Sequence, residues 1–260
     1  MILKFEKYQG AGNDFILIDN RNQQIKDLKP ETIKFLCDRH FGIGADGLML
    51  LNAHEKYDFE MDYYNADGSN GAMCGNGGRC IVAFAKQLGI ISEHTRFLAG
   101  DGLHEAFIDK QAKIKLKMAD VLKVKQNEDT FFINTGVPHH VEFDNDIFRI
   151  DVYAKGKEIR YSEKYKNEGT NVNFVQINKN EGIKIRTYER GVENETLACG
   201  TGAVASAIAY YQKFKPKASI VKVKVLGGEL EISFKEKDNK YTDVYLSGPA
   251  KHVFSGEIEI

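Results

Sequence analysis

Met73-Cys74-Gly75-Asn76-Gly77-Gly78-Arg79-Cys80 has an echo later in the chain, Ala198-Cys199-Gly200-Thr201-Gly202-Ala203. In both, a cysteine precedes Gly-x-Gly and then an apolar run rich in small residues, Ile81 to Leu88 and Val204 to Tyr211. Each reads as a loop entering a helix, with the cysteine just ahead of the first turn. A helix start carries N–H groups with no partner inside the helix and the positive end of its dipole. It lowers a thiol pKa and holds anions, and the glycines let a ligand approach the backbone. Gly12 lies 62 positions before Cys74, and Gly136 lies 63 before Cys199; each opens a segment running into a strand. The cysteines are 125 positions apart in a chain of 260. The spacing predicts two similar halves, each delivering one cysteine to a shared cleft.

The bulk numbers set the class. A chain of this length is one large domain or two ordinary ones. Hydrophobic residues at 42% and charged residues at 28% fit a soluble globular protein. The 36 basic residues face 37 acidic ones, so nucleic-acid binding has no electrostatic support. The N-terminal stretch lacks a signal peptide's apolar core, and no apolar run reaches the length of a membrane span. A cytoplasmic protein is expected. Four cysteines are too few for a disulfide scaffold. The Cys74–Cys80 spacing matches no usual zinc pattern, so no metal is expected.

Read in order, Ile2 to Lys7 and Phe15 to Ile18 are strand-like around a Gly-rich turn. A helix opens at Pro30, with Ile33, Leu36, Cys37 and His40 at helical spacing and Gly42 as its stop. Leu48 to Leu51 and Phe59 to Tyr64 are strands, the second ending at the turn Asn65-Ala66-Asp67-Gly68. Cys37 and Cys80 sit among apolar neighbours and read as core. Strands follow from Phe97 to Val124, and a domain boundary is expected near Met118. Phe131 to Asn134, Val141 to Phe143, Asn173 to Ile177 and Ile183 to Tyr188 are strands, with a short helix expected over Ser162 to Asn167. A hairpin turns at Gly227-Gly228. The chain is strand-dominated, with one long central helix per half.

Two thiols in equivalent settings suit a reaction symmetric about one carbon, racemisation or epimerisation. One thiolate removes the α-proton and the opposite thiol protonates the other face, a general acid–base contribution of roughly 10²–10⁴-fold. The carbanion's charge spreads into the α-carboxylate, where backbone donors at Gly75, Asn76, Gly200 and Thr201 would stabilise it. Such a reaction needs no cofactor.

At this point the chain resembles the diaminopimelate epimerase family. The matching stretches are Gly10-Ala11-Gly12-Asn13-Asp14-Phe15, Asn65-Ala66-Asp67-Gly68-Ser69 leading to Cys74-Gly75-Asn76-Gly77, Gly136-Val137-Pro138-His139, Asn171 in Gly-Thr-Asn-Val-Asn, and Tyr188-Glu189-Arg190-Gly191 leading to Cys199-Gly200-Thr201-Gly202. They stand in family order over nearly the whole chain. The resemblance implies an α+β fold of two pseudo-symmetric, strand-rich, barrel-like domains, each wrapped around a central helix, with the active site in the cleft between them. It implies halves at 1–118, joined by a returning strand at 249–260, and at 119–248. It further implies a pyridoxal-independent conversion of LL- to meso-diaminopimelate on the lysine and peptidoglycan route. Cys74 and Cys199 would be the acid/bases, with Glu189 and His139 beside them. Asn13, Asn65, Asn171 and Arg190 would hold the substrate. The partner implied is this small molecule, with neither nucleic acid nor membrane, and a homodimer as the candidate assembly. Two positions depart from the family pattern. Val137 stands where many members carry Asn, and Gly47 where some carry Gln, so contacts to the distal end of the substrate differ.

Three rivals remain. A two-cysteine racemase of the proline or hydroxyproline type would need no distal carboxylate clamp such as Arg190. A nucleotide-binding oxidoreductase has Gly200-Thr201-Gly202-Ala203-Val204-Ala205 in its favour, but a polar loop rather than a strand precedes it and no acidic residue ends a strand about twenty positions on. A thiol-redox protein lacks its C-x-x-C motif here.

Overall fold

The computed structural model describes residues 1–71, 73–178, 182–218 and 220–260. In chain order the elements are β1 (Ile2–Gly10), β2 (Asn13–Asp19), α1 (Pro30–Cys37), β3 (Gly47–Asn52), β4 (Phe59–Asn65), α2 (Gly75–Gln87), β5 (His94–Ala99), β6 (Gly102–Ile108) and β7 (Ile114–Lys117). There follow β8 (Val124–Asn127), β9 (Thr130–Asn134), β10 (Pro138–Phe143), α3 (Val152–Arg160), β11 (Asn171–Asn178), β12 (Gly182–Glu189), β13 (Asn194–Thr196) and α4 (Gly200–Phe214). Last come β14 (Ile220–Val225), β15 (Gly228–Lys237), β16 (Lys240–Gly248) and β17 (Lys251–Glu259). The chain divides into two compact units, Met1–Leu116 with Gly248–Ile260, and Lys117–Ser247.

In the first unit β17 pairs antiparallel with β1, and β1 with β2. Two parallel steps follow, β2 to β3 and β4 to β5, each bridged by a helix. The strands read apolar on alternate residues, as Leu3 and Phe5 show. The helix α2 is buried from Gly75 through Val82 and again at Phe84 and Ala85, and packs against β1, β2, β3 and β17. A helix buried all round its circumference must be enclosed rather than laid on a surface.

The second unit repeats the scheme. β10 runs parallel to β11 across α3, and β12 parallel to β14 across α4. The helix α4 is buried continuously from Gly202 through Ala209 and packs against β9, β10, β11, β12, β14 and β15. Its run of alanines is what allows so many strands to close in at short range. The strand-dominated architecture with one enclosed helix per half is therefore the observed one. The Gly227-Gly228 hairpin is present between β14 and β15.

Two local expectations are corrected. The second unit's minor helix lies at Val152–Arg160, not at Ser162 to Asn167, which forms turns. Asp151 caps it by accepting from the Ala154 N–H at 3.0 Å, and Val152 and Gly156 face inward. It is the counterpart of α1. That first helix ends at Cys37 rather than running to His40, because the Asp38 carboxylate takes the N–H groups of His40 and Phe41 at 2.7 and 2.8 Å.

Gly156 lets α3 settle on the buried Tyr188 ring. A Cβ there would stand 2.4 Å from Tyr188 Cβ. Alanine would favour the helix by about 1 kcal/mol, whereas overpacking costs about 1–3 kcal/mol. Gly156→Ala should therefore lower stability by up to about 2 kcal/mol in chemical denaturation; a raised midpoint would show that α3 lifts freely.

Candidate active site

In the first unit Cys74 is the N-cap of α2, in extended backbone conformation, and its Sγ accepts the Gly77 N–H at 3.2 Å. The thiol thus stands where the helix start presents N–H groups and favours negative charge. Beneath it Arg79 is fully buried. Its Nη1 donates to the Gly75 carbonyl at 2.9 Å, its Nη2 to Asn76 Oδ1 at 3.0 Å, and its Nε to the Pro249 carbonyl at 3.3 Å. Burial pulls this guanidinium below its ordinary value, and negative charge on Cys80 or Cys74 works against that. The attraction is mutual, so the buried cation favours a thiolate at Cys74.

Asn76 passes the order outward. Its Nδ2 donates to Asn13 Oδ1, and Asn13 Nδ2 donates to Asp46 at 2.9 Å. Asp46 is held in turn by Arg39 at 2.8 Å. Asn65, at the end of β4, donates to Ser69 Oγ at 3.0 Å. Gly47 is its register partner on β3, and a Cβ there would stand 2.6 Å from the Tyr63 ring and 2.7 Å from the Tyr64 carbonyl oxygen, so a larger residue needs backbone as well as that ring to shift.

In the second unit Cys199 precedes α4, 5% exposed, with Thr201 Oγ1 at 3.4 Å from its Sγ. Register brings its companions together. His139 on β10 is the parallel partner of Asn171 on β11, and Val172 is opposite Tyr188 on β12. Asn171 Oδ1 accepts the Arg190 backbone N–H at 2.8 Å, and Arg190 Nη1 donates to the Glu168 carbonyl at 2.6 Å. Glu189 accepts from the Thr196 hydroxyl at 2.9 Å. Burial pushes its carboxyl above the ordinary value, and the Thr196 hydrogen bond only partly offsets this. His139 is completely buried; burial, with Arg190 adding to it, pulls the ring down to about 3, so it is neutral at physiological pH.

The expected site residues thus fall into two sets. Cys74, Gly75, Asn76, Asn13 and Asn65 lie in the first unit; Cys199, Gly200, Thr201, His139, Asn171, Glu189 and Arg190 lie in the second. The sequence reading missed the supports: Arg79, Asp46, Thr196, Asn173 and Thr187. Arg79 had a readable signal, a charged residue set between Gly77-Gly78 and the apolar run Cys80 to Ala85. The other two cysteines carry no such setting. Burial pushes the Cys37 thiol up to about 11 and the Cys80 thiol higher still.

The family model described as diaminopimelate epimerase matches residues 5–124 and 131–253. Among relatives, the chain is 50% identical to the diaminopimelate epimerase of Flavobacterium psychrophilum, over 98% of this chain and all of that one. It is 44% identical to that of Chlorobaculum tepidum, over 96% and 99%. Among solved structures it resembles a PhzF-family phenazine biosynthesis protein of Bacillus anthracis, with TM-score 0.79 at 12% identity and full coverage of both chains. A probable proline racemase of Agrobacterium radiobacter gives TM-score 0.67 at 15% identity, over 99% and 92%. At such identities these two structures speak for the fold alone.

Two outcomes follow from the thiol and carboxyl settings. Under mild alkylation of the native protein, Cys37 and Cys80 should stay unmodified while Cys74 reacts, as read by peptide mass spectrometry; labelling of Cys80 at the rate of Cys74 would refute the burial argument. Glu189 has a raised folded-state pKa, so its contribution to stability is full below the unfolded carboxyl value and fades as pH rises through the folded one. Glu189→Gln should accordingly melt above the wild type near pH 8, with the gap closing below about pH 4; a gap of opposite trend would refute the assignment.

Proposed function

The chain belongs to the diaminopimelate epimerase family, and on that premise we propose that it interconverts LL- and meso-2,6-diaminopimelate by two-base proton transfer between Cys74 and Cys199. The observation that carries the reading is the equivalence of the two sulfurs. Each stands immediately before an enclosed helix, at the same point of a repeated strand–helix–strand scheme.

In the forward direction one thiolate takes the α-hydrogen as a proton, and the C–H electron pair moves into the α-carboxylate. The other cysteine gives its S–H proton to the opposite face. The enzyme ends with its charge on the other sulfur, and the reverse reaction restores it. The reading requires the two sulfurs to reach opposite faces of one carbon. Backbone N–H groups at Gly75, Asn76, Gly200 and Thr201 would hold the carboxylate as its charge grows, since preorganised donors favour the charge-rich state over the ground state. In this reading the sulfurs and backbone donors supply the chemistry, without a cofactor.

Substrate contacts follow from charge. Arg190 suits a carboxylate, and its backbone is fixed by Asn171. Glu189 suits the α-ammonium; a cation beside it would stabilise the carboxylate form that burial disfavours. Asn13 and Asn65 supply amides. With Val137 and Gly47 in place of polar residues, distal recognition rests on these groups.

The test is incubation with LL-diaminopimelate in D₂O, following deuterium at the α-carbon and the appearance of the meso form. Cys74→Ala and Cys199→Ala should each lower kcat for epimerisation by roughly 10²-fold or more. Retention of native turnover by either variant would remove that sulfur from the mechanism.

A further inference from the structure

A buried asparagine that the mechanism above does not use stands against His139. Asn173, on β11, is completely buried. It lies two residues beyond Asn171, on the same face of the strand. Its Nδ2 is 2.9 Å from the His140 carbonyl oxygen and 3.1 Å from His139 Nδ1. Its Oδ1 receives the Thr187 hydroxyl at 3.0 Å.

The amide's orientation can be deduced. A backbone carbonyl only accepts, so the atom facing the His140 oxygen must be the amide nitrogen. The nitrogen's second N–H then points to His139 Nδ1. That ring nitrogen must accept, so the proton of the neutral ring sits on Nε2. His139 Nε2 is itself buried, with no hydrogen-bond partner among the described residues. A buried N–H in that state favours a ligand able to accept from it. Asn173 also lies close to the sulfur. A Cβ on Gly202 would be 2.4 Å from Asn173 Oδ1 and 3.3 Å from Cys199 Sγ, so both crowd the first turn of α4.

We propose that Asn173 is a positioning residue that fixes His139 as the Nε2–H tautomer, so that His139 serves the reaction as a neutral hydrogen-bond donor and takes up no proton at Nε2. The proposal rests on the epimerase reading for its kinetic part only; the tautomer stands independently of it. Burial of the ring, which keeps it uncharged, agrees with this.

The experiment uses the full-length protein labelled with ¹⁵N in its histidine rings. The His139 signals are assigned by their loss in His139→Gln. At neutral pH, Nδ1 should show a pyridine-like shift and Nε2 a pyrrole-like one with an attached proton. A proton on Nδ1, or a charged ring, would overturn the proposal. Asn173→Asp places a group that only accepts beside Nδ1 and should draw the proton there. The tautomer should reverse, with kcat falling about 10²-fold and KM changing less. A reversed tautomer with kcat within about twofold of native would overturn the catalytic part. If that variant does not fold, Asn173→Ala removes the contact without adding charge. It should give a mixture of tautomers and a kcat about tenfold lower, whereas a pure Nε2–H signal with native kcat would refute the role. Should the native protein lack epimerase activity altogether, the epimerase reading falls, while the histidine spectrum still decides what Asn173 does.

Discussion

Each of the two cysteines stands at the start of a helix that is almost wholly buried in its first turns. That arrangement governs the rest of the molecule. A helix end pushed into protein must satisfy its N–H groups locally. Here the Cys74 sulfur accepts one of them, and Cys199 lies at the same point of α4. The sheets around the helices are built to permit this. Small residues let strands approach α4 from several directions, and in α2 the glycines bring the backbone close to Met49 and Met73. Enclosure and chemistry are therefore one requirement: a helix lying open on a surface would give its donors to water.

The polar side chains near the sulfurs behave as a frame more than as a set of open arms. Asn13, Asn76 and Arg79 form a hydrogen-bonded run ending at a buried cation, and Asn171 spends its oxygen on the Arg190 backbone. Buried polar groups are costly unless each is matched, so such runs fix side-chain orientation closely. A substrate meeting this frame finds donors already aimed, which limits the ordering it must impose on binding.

The parts legible in the sequence were those written locally. Cysteine, Gly-x-Gly and a small apolar run announce a loop entering a buried helix, and the Gly227-Gly228 pair announces its hairpin. Helix α3 was not legible in this way, because its inward face is sparse, with Val152 and Gly156 where leucines would be expected. The duplication carried the missing information: shifting α1 by the cysteine spacing lands on α3. The supports of the site were unreadable for another reason. Asn173 meets His139 from 34 positions away, and Arg79 meets Pro249 from 170 away. No window along the chain holds both partners, so composition and spacing cannot reveal them. The early stop of α1 at Asp38 shows the reverse case, a local competitor for backbone N–H groups overriding a periodic pattern.

The pairing of β17 with β1 has a consequence for the order of biosynthesis. Residues Lys251–Glu259 provide the partner strand for Ile2–Gly10, with register running from Ile2 opposite Glu259 to Gln9 opposite Lys251. On the ribosome, β1 emerges well before β17 and waits while the whole of Lys117–Ser247 is translated. The second unit is continuous in sequence, whereas the first keeps an open strand edge until Lys251–Glu259 has left the exit tunnel. Nascent chains of this protein should thus expose that edge throughout synthesis of the second unit, so the half begun first is not the half finished first. That exposed edge is where a chaperone would find the chain.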